Sequence, residues 1–169
     1  MQHNYKLPLC VAVAALLALF GLLNLSKYIV YNSTISEPIG YYWLSAVDEV
    51  RVGSLYTIKL PANEMATLRK LGYAADSGTL LKRVVAGYGD EIKVTANGIA
   101  VNTKLFANSR AVTKVKGVLL NPLPIGYQHK LALDEYFMLG ETANSFDSRY
   151  FGVVKRKVII NQAQLILKE

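Results

Sequence analysis

The sequence contains one cysteine, Cys10, and two histidines, His3 and His129, among 169 residues. A single cysteine excludes an intrachain disulfide. Two isolated histidines, neither with a carboxylate at a suggestive spacing, give no metal site and no Ser-His-Asp triad. His129, next to Lys130, reads as a surface residue, and no cofactor is expected. Acidic residues are also scarce, 12 against 19 Lys and Arg, for a net charge of +7. The basic residues are scattered rather than clustered in a stripe, which argues against direct nucleic-acid binding. A basic domain tethered beside anionic lipid headgroups would instead gain some attraction to them. No internal repeat, low-complexity tract or second long apolar run is visible.

The first apolar run, Leu7 to Leu25, carries no charge. As a helix it would extend about 28 Å, close to the hydrocarbon thickness of a bilayer. A cleaved signal peptide has a shorter apolar core, about 7–15 residues, ending in a small-residue site. Asn24-Leu25-Ser26-Lys27 offers no such site, so the segment reads as a retained signal-anchor. Lys6 precedes the span and Lys27 follows it, a weak charge asymmetry. The expected layout is a cytoplasmic stub (1–6), a transmembrane signal-anchor (7–26) and an exported domain (27–169). Cys10 lies within the run, as a lipid-facing or helix-packing residue.

Beyond Lys27 the pattern is mainly β. Val50–Leu60, Thr79–Ala86, Glu91–Thr95, Gly98–Val101, Tyr136–Leu139 and Val153–Ile160 are β-branched or aromatic runs. Turn signals such as Gly89-Asp90, Asn97-Gly98 and Asn121-Pro122 separate them. One short helix is predicted, with Asn63 as N-cap, Met65, Leu68 and Leu71 at helical spacing, and Gly72 closing it. The fold class is therefore an N-terminal membrane helix followed by a small antiparallel β domain with one short helix.

Two segments carry the chemistry. Asn32-Ser33-Thr34-Ile35-Ser36-Glu37-Pro38-Ile39-Gly40 is rich in hydroxyl residues and punctuated by Pro and Gly. Alone, it is consistent with a simple turn. A serine hydroxyl is a weak nucleophile and needs a base within hydrogen-bond reach. With histidine excluded, lysine remains, provided burial strips its proton near neutral pH. In Leu80-Leu81-Lys82-Arg83-Val84-Val85, strand alternation puts Lys82 on one face with Leu80 and Val84, and Arg83 on the other with Leu81 and Val85. Both basic residues thus lie among apolar neighbours, a pattern equally compatible with a Lys-Arg pair on a half-exposed edge strand.

Taken in order, Lys82-Arg83-Val84-Val85, Gly89-Asp90, Gly140-Glu141 and Ser145-x-Asp147-Ser148-Arg149-Tyr150-x-Gly152 resemble the boxes of type I signal peptidases. These are Ser/Lys peptidases of the S26 type. The resemblance runs from about Ser33 to Val154. Ser36-Glu37-Pro38-Ile39-Gly40-x-Tyr42 and Leu71-Gly72-Tyr73 are most similar to the conjugative-transfer branch, which matures pilins. Two departures stand out: Glu37 replaces the methionine that follows the nucleophile in general signal peptidases, and Gly140-Glu141-Thr142-Ala143 is one residue tighter before Ser145.

The resemblance implies a serine endopeptidase with Ser36 as nucleophile and Lys82 as general base. The Ser36 N–H and the Thr34 hydroxyl would form the oxyanion hole. Ser145 would orient the Lys82 amine, and Asp147 would pair with Arg83 or Arg149, bracing the Lys82 strand or serving as a plain structural salt bridge. The implied substrate is a pilin precursor or another membrane-bound preprotein. The implied location is the bacterial inner membrane, single-pass, with the catalytic domain on the periplasmic side, in company with inner-membrane lipid and conjugative type IV secretion machinery. A general secretory signal peptidase and a non-catalytic membrane-anchored scaffold are the alternatives.

Overall fold

A computed structural model describes residues 6–72 and 79–169. Residues 1–5 of the stub, the Cys10 side chain and Tyr73 lie outside the described residues. Helix α1 (Lys6–Leu25) is followed by a 3-10 turn at Ser26–Tyr28. The stretch Val11–Tyr28 is long and apolar enough to cross a membrane.

The β domain starts with β1 (Ile29–Asn32), β2 (Gly40–Ser45) and β3 (Leu55–Lys59), then helix α2 (Ala62–Lys70) and β4 (Thr79–Ala86). A second group follows: β5 (Glu91–Thr95), β6 (Gly98–Val101), β7 (Lys104–Leu105), β8 (Lys114–Val115), β9 (Val118–Leu119) and β10 (Gln128–Lys130). The chain then returns through β11 (Glu135–Leu139), the one-turn helix α3 (Ser148–Phe151), β12 (Val154–Lys155) and β13 (Ile159–Lys168). A seven-stranded sheet runs β1-β2-β13-β3-β4-β11-β12, and a four-stranded sheet runs β10-β5-β6-β7. Among the described residues the strand pairings in these two sheets, and in a separate β8-β9 ribbon, are antiparallel.

Two of the three apolar clusters among the described residues flank β4, as strand alternation requires. Tyr56, Ile58, Val84, Met138 and Ile159 project from the large sheet onto Met65, Leu68 and Leu71 of the α2 region. Val85, Phe137 and Leu139 project into a second cluster with Ile92, Val94, Ile99 and Val101 of the small sheet. Consecutive residues Val84 and Val85 thus serve opposite cores, as period-2 alternation requires. Strand β4 is therefore held on both faces, which fixes the height and direction of Lys82. Emptying such a site, as in Leu68→Ala, costs about 2–5 kcal/mol.

The strands at Thr79–Ala86, Glu91–Thr95 and Gly98–Val101 match the sequence expectation, and the β11 strand begins one residue early, at Glu135. Three expectations are corrected. The Val50–Leu60 run is a strand only from Leu55, because Gly53 turns at φ +91° and its N–H donates to the Val84 carbonyl. Val153–Ile160 is broken by a 3-10 turn at Arg156–Val158, where the Arg156 guanidinium donates to the carbonyls of Val47 and Ile159. The N-cap position of α2 is Pro61, not Asn63, whose side-chain amide donates to Glu64 instead. Gly72 follows the helix at φ +75° and donates to the Arg69 carbonyl. A second short helix, α3, adds to the one that the sequence pattern predicts.

Candidate active site

The turn between β1 and β2 is organised by Asn32. Its Nδ2 donates to the carbonyls of Thr34, Glu37 and Pro38 at 2.9, 3.0 and 3.0 Å. Its Oδ1 accepts from the Thr34 N–H at 3.2 Å and from the Thr34 hydroxyl at 2.9 Å. The Tyr42 hydroxyl donates to the Pro38 carbonyl at 2.6 Å from the floor of β2. This side-chain scaffold satisfies a loop that has few backbone bonds of its own. Ser36 rides at its crest and is buried.

The crest meets β4. Lys82 Nζ donates to Ser36 Oγ at 3.1 Å and to the Leu81 carbonyl at 2.9 Å. That separation is within the range for proton transfer between a nucleophile and its base. Lys82 is only 3% exposed, and burial pushes its amine below the ordinary lysine value. Asp147 and Glu37 pull in the opposite direction, and Arg149 reinforces the lowering. The sequence thus supplies a hydroxyl and a desolvated amine on two separate elements and places them in contact.

Thr34 Oγ1 lies 3.1 Å from Ser36 Oγ. Its hydroxyl also donates to Asn32, so it can serve an oxyanion only by turning that proton away from Asn32. Ser145 is 3% exposed, yet its Oγ has no hydrogen-bond partner among the described residues. The bond from Ser145 to the Lys82 amine is therefore not made in this arrangement. Ser145 packs on Gly140 instead. A Cβ at Gly140 would overlap Ser145 Oγ and approach the Ser36 carbonyl oxygen to 2.9 Å.

Of the two arginines offered as partners for Asp147, the structure selects Arg149. Arg149 Nε and Nη2 each donate to the carboxylate at 2.7 Å, with both side chains fully buried. Asp147 also accepts the Gly140 N–H at 2.9 Å and the Arg149 N–H at 3.1 Å. The remaining Arg149 protons go to five carbonyls, those of Asn108, Arg110, Thr142, Ala143 and Ser145. One buried pair thus folds the whole 140–149 segment. That segment touches the nucleophile turn directly, since the Glu141 N–H donates to the Ser36 carbonyl at 2.7 Å.

Arg83 faces elsewhere. It donates to Glu37 at 3.0 Å, to Glu141 at 3.5 Å and to the Gly53 carbonyl at 2.8 Å. Burial raises the Glu37 carboxyl to about 7, against the pull of Arg83. Sequence reasoning gave no role to Asn32, Glu37, Gly140 or Glu141. The Asn-x-Thr spacing of an Asx turn was the available signal for Asn32. His129, expected as a lone surface residue, has a carboxylate partner: its Nε2 lies 2.7 Å from Glu135 Oε2. With Lys155 also bonding Glu135, that carboxyl is held down near 2. His129 sits on β10 of the small sheet, whereas Lys82 is on β4 of the large one and Ser36 on the turn between β1 and β2. Among the described residues no group of three His, Cys, Asp or Glu is placed to hold a metal ion.

Residues 3–168 match the family described as signal peptidase, peptidase S26. A plasmid transfer protein TraF of Escherichia coli is 31% identical over 146 residues, 80% of this chain and 81% of that protein. Another Escherichia coli plasmid transfer protein TraF is 29% identical over 138 residues, 76% of each chain. A solved signal peptidase I from Enterococcus faecalis V583 aligns with 73% of this chain and 100% of its own, at 15% identity and a TM-score of 0.38.

Proposed function

Because the chain belongs to the signal peptidase S26 family, we propose that it is a membrane-anchored serine endopeptidase in which Ser36 and Lys82 form the catalytic dyad and a pilin precursor for conjugative DNA transfer is the substrate. The observation that carries this reading is the 3.1 Å contact between Ser36 Oγ and a buried Lys82 amine whose proton affinity is lowered. The similarity to plasmid transfer proteins supports the choice of a conjugative substrate. The apolar N-terminal helix would hold the domain at the periplasmic face of the inner membrane, where such precursors emerge.

In the mechanism, the unprotonated Lys82 amine takes the Ser36 proton as Oγ attacks the scissile carbonyl carbon. The developing oxyanion is met by the Ser36 N–H and, with its proton redirected, by Thr34. Collapse breaks the C–N bond, and the Lys82 ammonium returns the proton to the leaving amine, leaving an ester on Ser36. A second nucleophile then gives its proton to Lys82 and takes the acyl group, restoring the hydroxyl. Water in that role yields hydrolysis, and the pilin's own N-terminal amine yields a ring.

The test is the intact mass of the candidate pilin from membranes that also contain this protein or its Ser36→Ala variant. The expected result is a tail-shortened pilin with the unaltered chain and full precursor with Ser36→Ala. A further loss of one water identifies cyclisation. Identical precursor masses in both membranes would overturn the pilin assignment, and identical processing in both would overturn the role of Ser36.

A further inference from the structure

Next to the Ser36–Lys82 contact lies a second one of the same construction. One residue on from each partner, Glu37 Oε2 meets Arg83 Nη2 at 3.0 Å. Two consecutive residues of the turn therefore grip two consecutive residues of β4. Glu37 is 1% exposed, and its second oxygen, Oε1, has no hydrogen-bond partner among the described residues. Burying a carboxylate with one oxygen unsatisfied destabilises the fold, and an apolar side chain of similar length would fill the space without that cost. A residue kept at the expense of stability beside a reacting hydroxyl calls for a role in the site.

We propose that Glu37 is a positioning residue for the peptidase reaction: its carboxylate, paired with Arg83, fastens the turn carrying Ser36 to the strand carrying Lys82 and so holds the hydroxyl within reach of the amine. This inference rests on the Ser/Lys reading above. The geometry favours it because Arg83 is itself anchored, through the Gly53 carbonyl, to the turn before β3. The Glu141 N–H clamps the Ser36 carbonyl from the other side. Removing the carboxylate frees one of the two clamps and leaves the other.

The charged and titratable groups around Glu37 are Arg83 and Lys82 on β4, Glu141 after β11 and Tyr42 on β2. Burial and Glu141 favour the neutral acid, while Arg83 and Lys82 favour the anion, and the balance lies at about 7. The anion in turn favours the protonated form of Lys82. Loss of the Glu37 charge therefore has two separable effects: the turn loosens, and Lys82 releases its proton at lower pH. A purely structural residue would produce the first without the second.

The experiment uses the full chain in detergent as wild type, Glu37→Gln, Arg83→Gln and the double variant. One readout is deuterium uptake over residues 33–39, corrected for intrinsic exchange. The other is single-turnover cleavage of the candidate pilin precursor against pH. Uptake should be about tenfold faster in each single variant and no faster still in the double, as for two residues acting as a unit. The cleavage rate should fall about tenfold to a hundredfold, the scale for a slightly misplaced nucleophile. The rising limb of its pH profile should move to lower pH in Glu37→Gln. Wild-type uptake in both single variants, or an unmoved limb in Glu37→Gln, overturns the proposal. The uptake readout needs no turnover, so a wild type that fails to cleave would count against the peptidase reading while the pairing is still decided by exchange. Glu37→Gln leaves Arg83, one-third exposed, partly solvated, so that variant should fold even if Arg83→Gln, which strips a buried carboxylate of its counter-charge, does not.

Discussion

Asp147→Asn should unfold this protein more readily than almost any other single-atom exchange. The carboxylate receives four hydrogen bonds, from Gly140 N–H, Arg149 N–H, Arg149 Nε and Arg149 Nη2. All four partners are donors. An asparagine amide can accept on one side only, so its NH2 would face donors on the other, and the Arg149 guanidinium would be left fully buried without a counter-charge. Breaking a buried ion pair by removing one partner costs about 3–5 kcal/mol, against a total stability of roughly 5–15 kcal/mol for a domain. At about 2–4 °C per kcal/mol for a protein of this size, the midpoint should fall by roughly 6–20 °C. Fluorescence of Trp43, the one tryptophan, reports the transition in detergent. Arg149→Met should cost at least as much, because it also strips five carbonyls of their donor. A midpoint for Asp147→Asn within about 1 °C of wild type would refute the reasoning that this pair organises the 140–149 segment.

Gly140→Ala should slow cleavage about tenfold to a hundredfold with little change in KM, because the added methyl must push Ser145 or the Ser36 carbonyl aside; steady-state kinetics on the precursor would read this, and wild-type kcat would contradict it. Lys82→Met should be inactive yet more stable at pH 7. Burial lowers the folded-state value of Lys82, so the unfolded chain holds a proton that the folded chain gives up. The stability that Lys82 subtracts is therefore largest below the folded value and vanishes above the ordinary lysine range. Denaturation of both proteins from pH 6 to 10 should show the gap between them closing as pH rises, and a constant or widening gap would refute the assignment of a desolvated amine.

Much of the site was legible because its residues sit in short ordered boxes. The face of Lys82 followed from alternation in β4, a strand whose both neighbours are apolar. What failed to show was pairing at a distance. Nothing local separates Arg83 from Arg149 as the partner of Asp147, since the choice depends on α3, whose N-terminus Asp147 caps. Glu37 looked like a simple replacement for methionine because its burial is set by Arg83, distant in sequence. The interior strand β13 is hidden by its largely polar run Asn161-Gln162-Ala163-Gln164. It passes between β2 and β3, with bulges at Ile160 and Ile166 that turn those two side chains outward. Val50–Ser54 misleads in the opposite direction, because its β-branched pattern continues up to the glycine that turns the chain before β3.

The dyad itself is tested most directly by the single-turnover cleavage rate of wild type and Lys82→Met from pH 6 to 10. A Ser36 activated by a buried lysine predicts a wild-type rate that climbs as Lys82 loses its proton and levels off below the ordinary lysine range, with no turnover by Lys82→Met at any pH. A flat wild-type profile, or cleavage by the folded Lys82→Met protein, would contradict it.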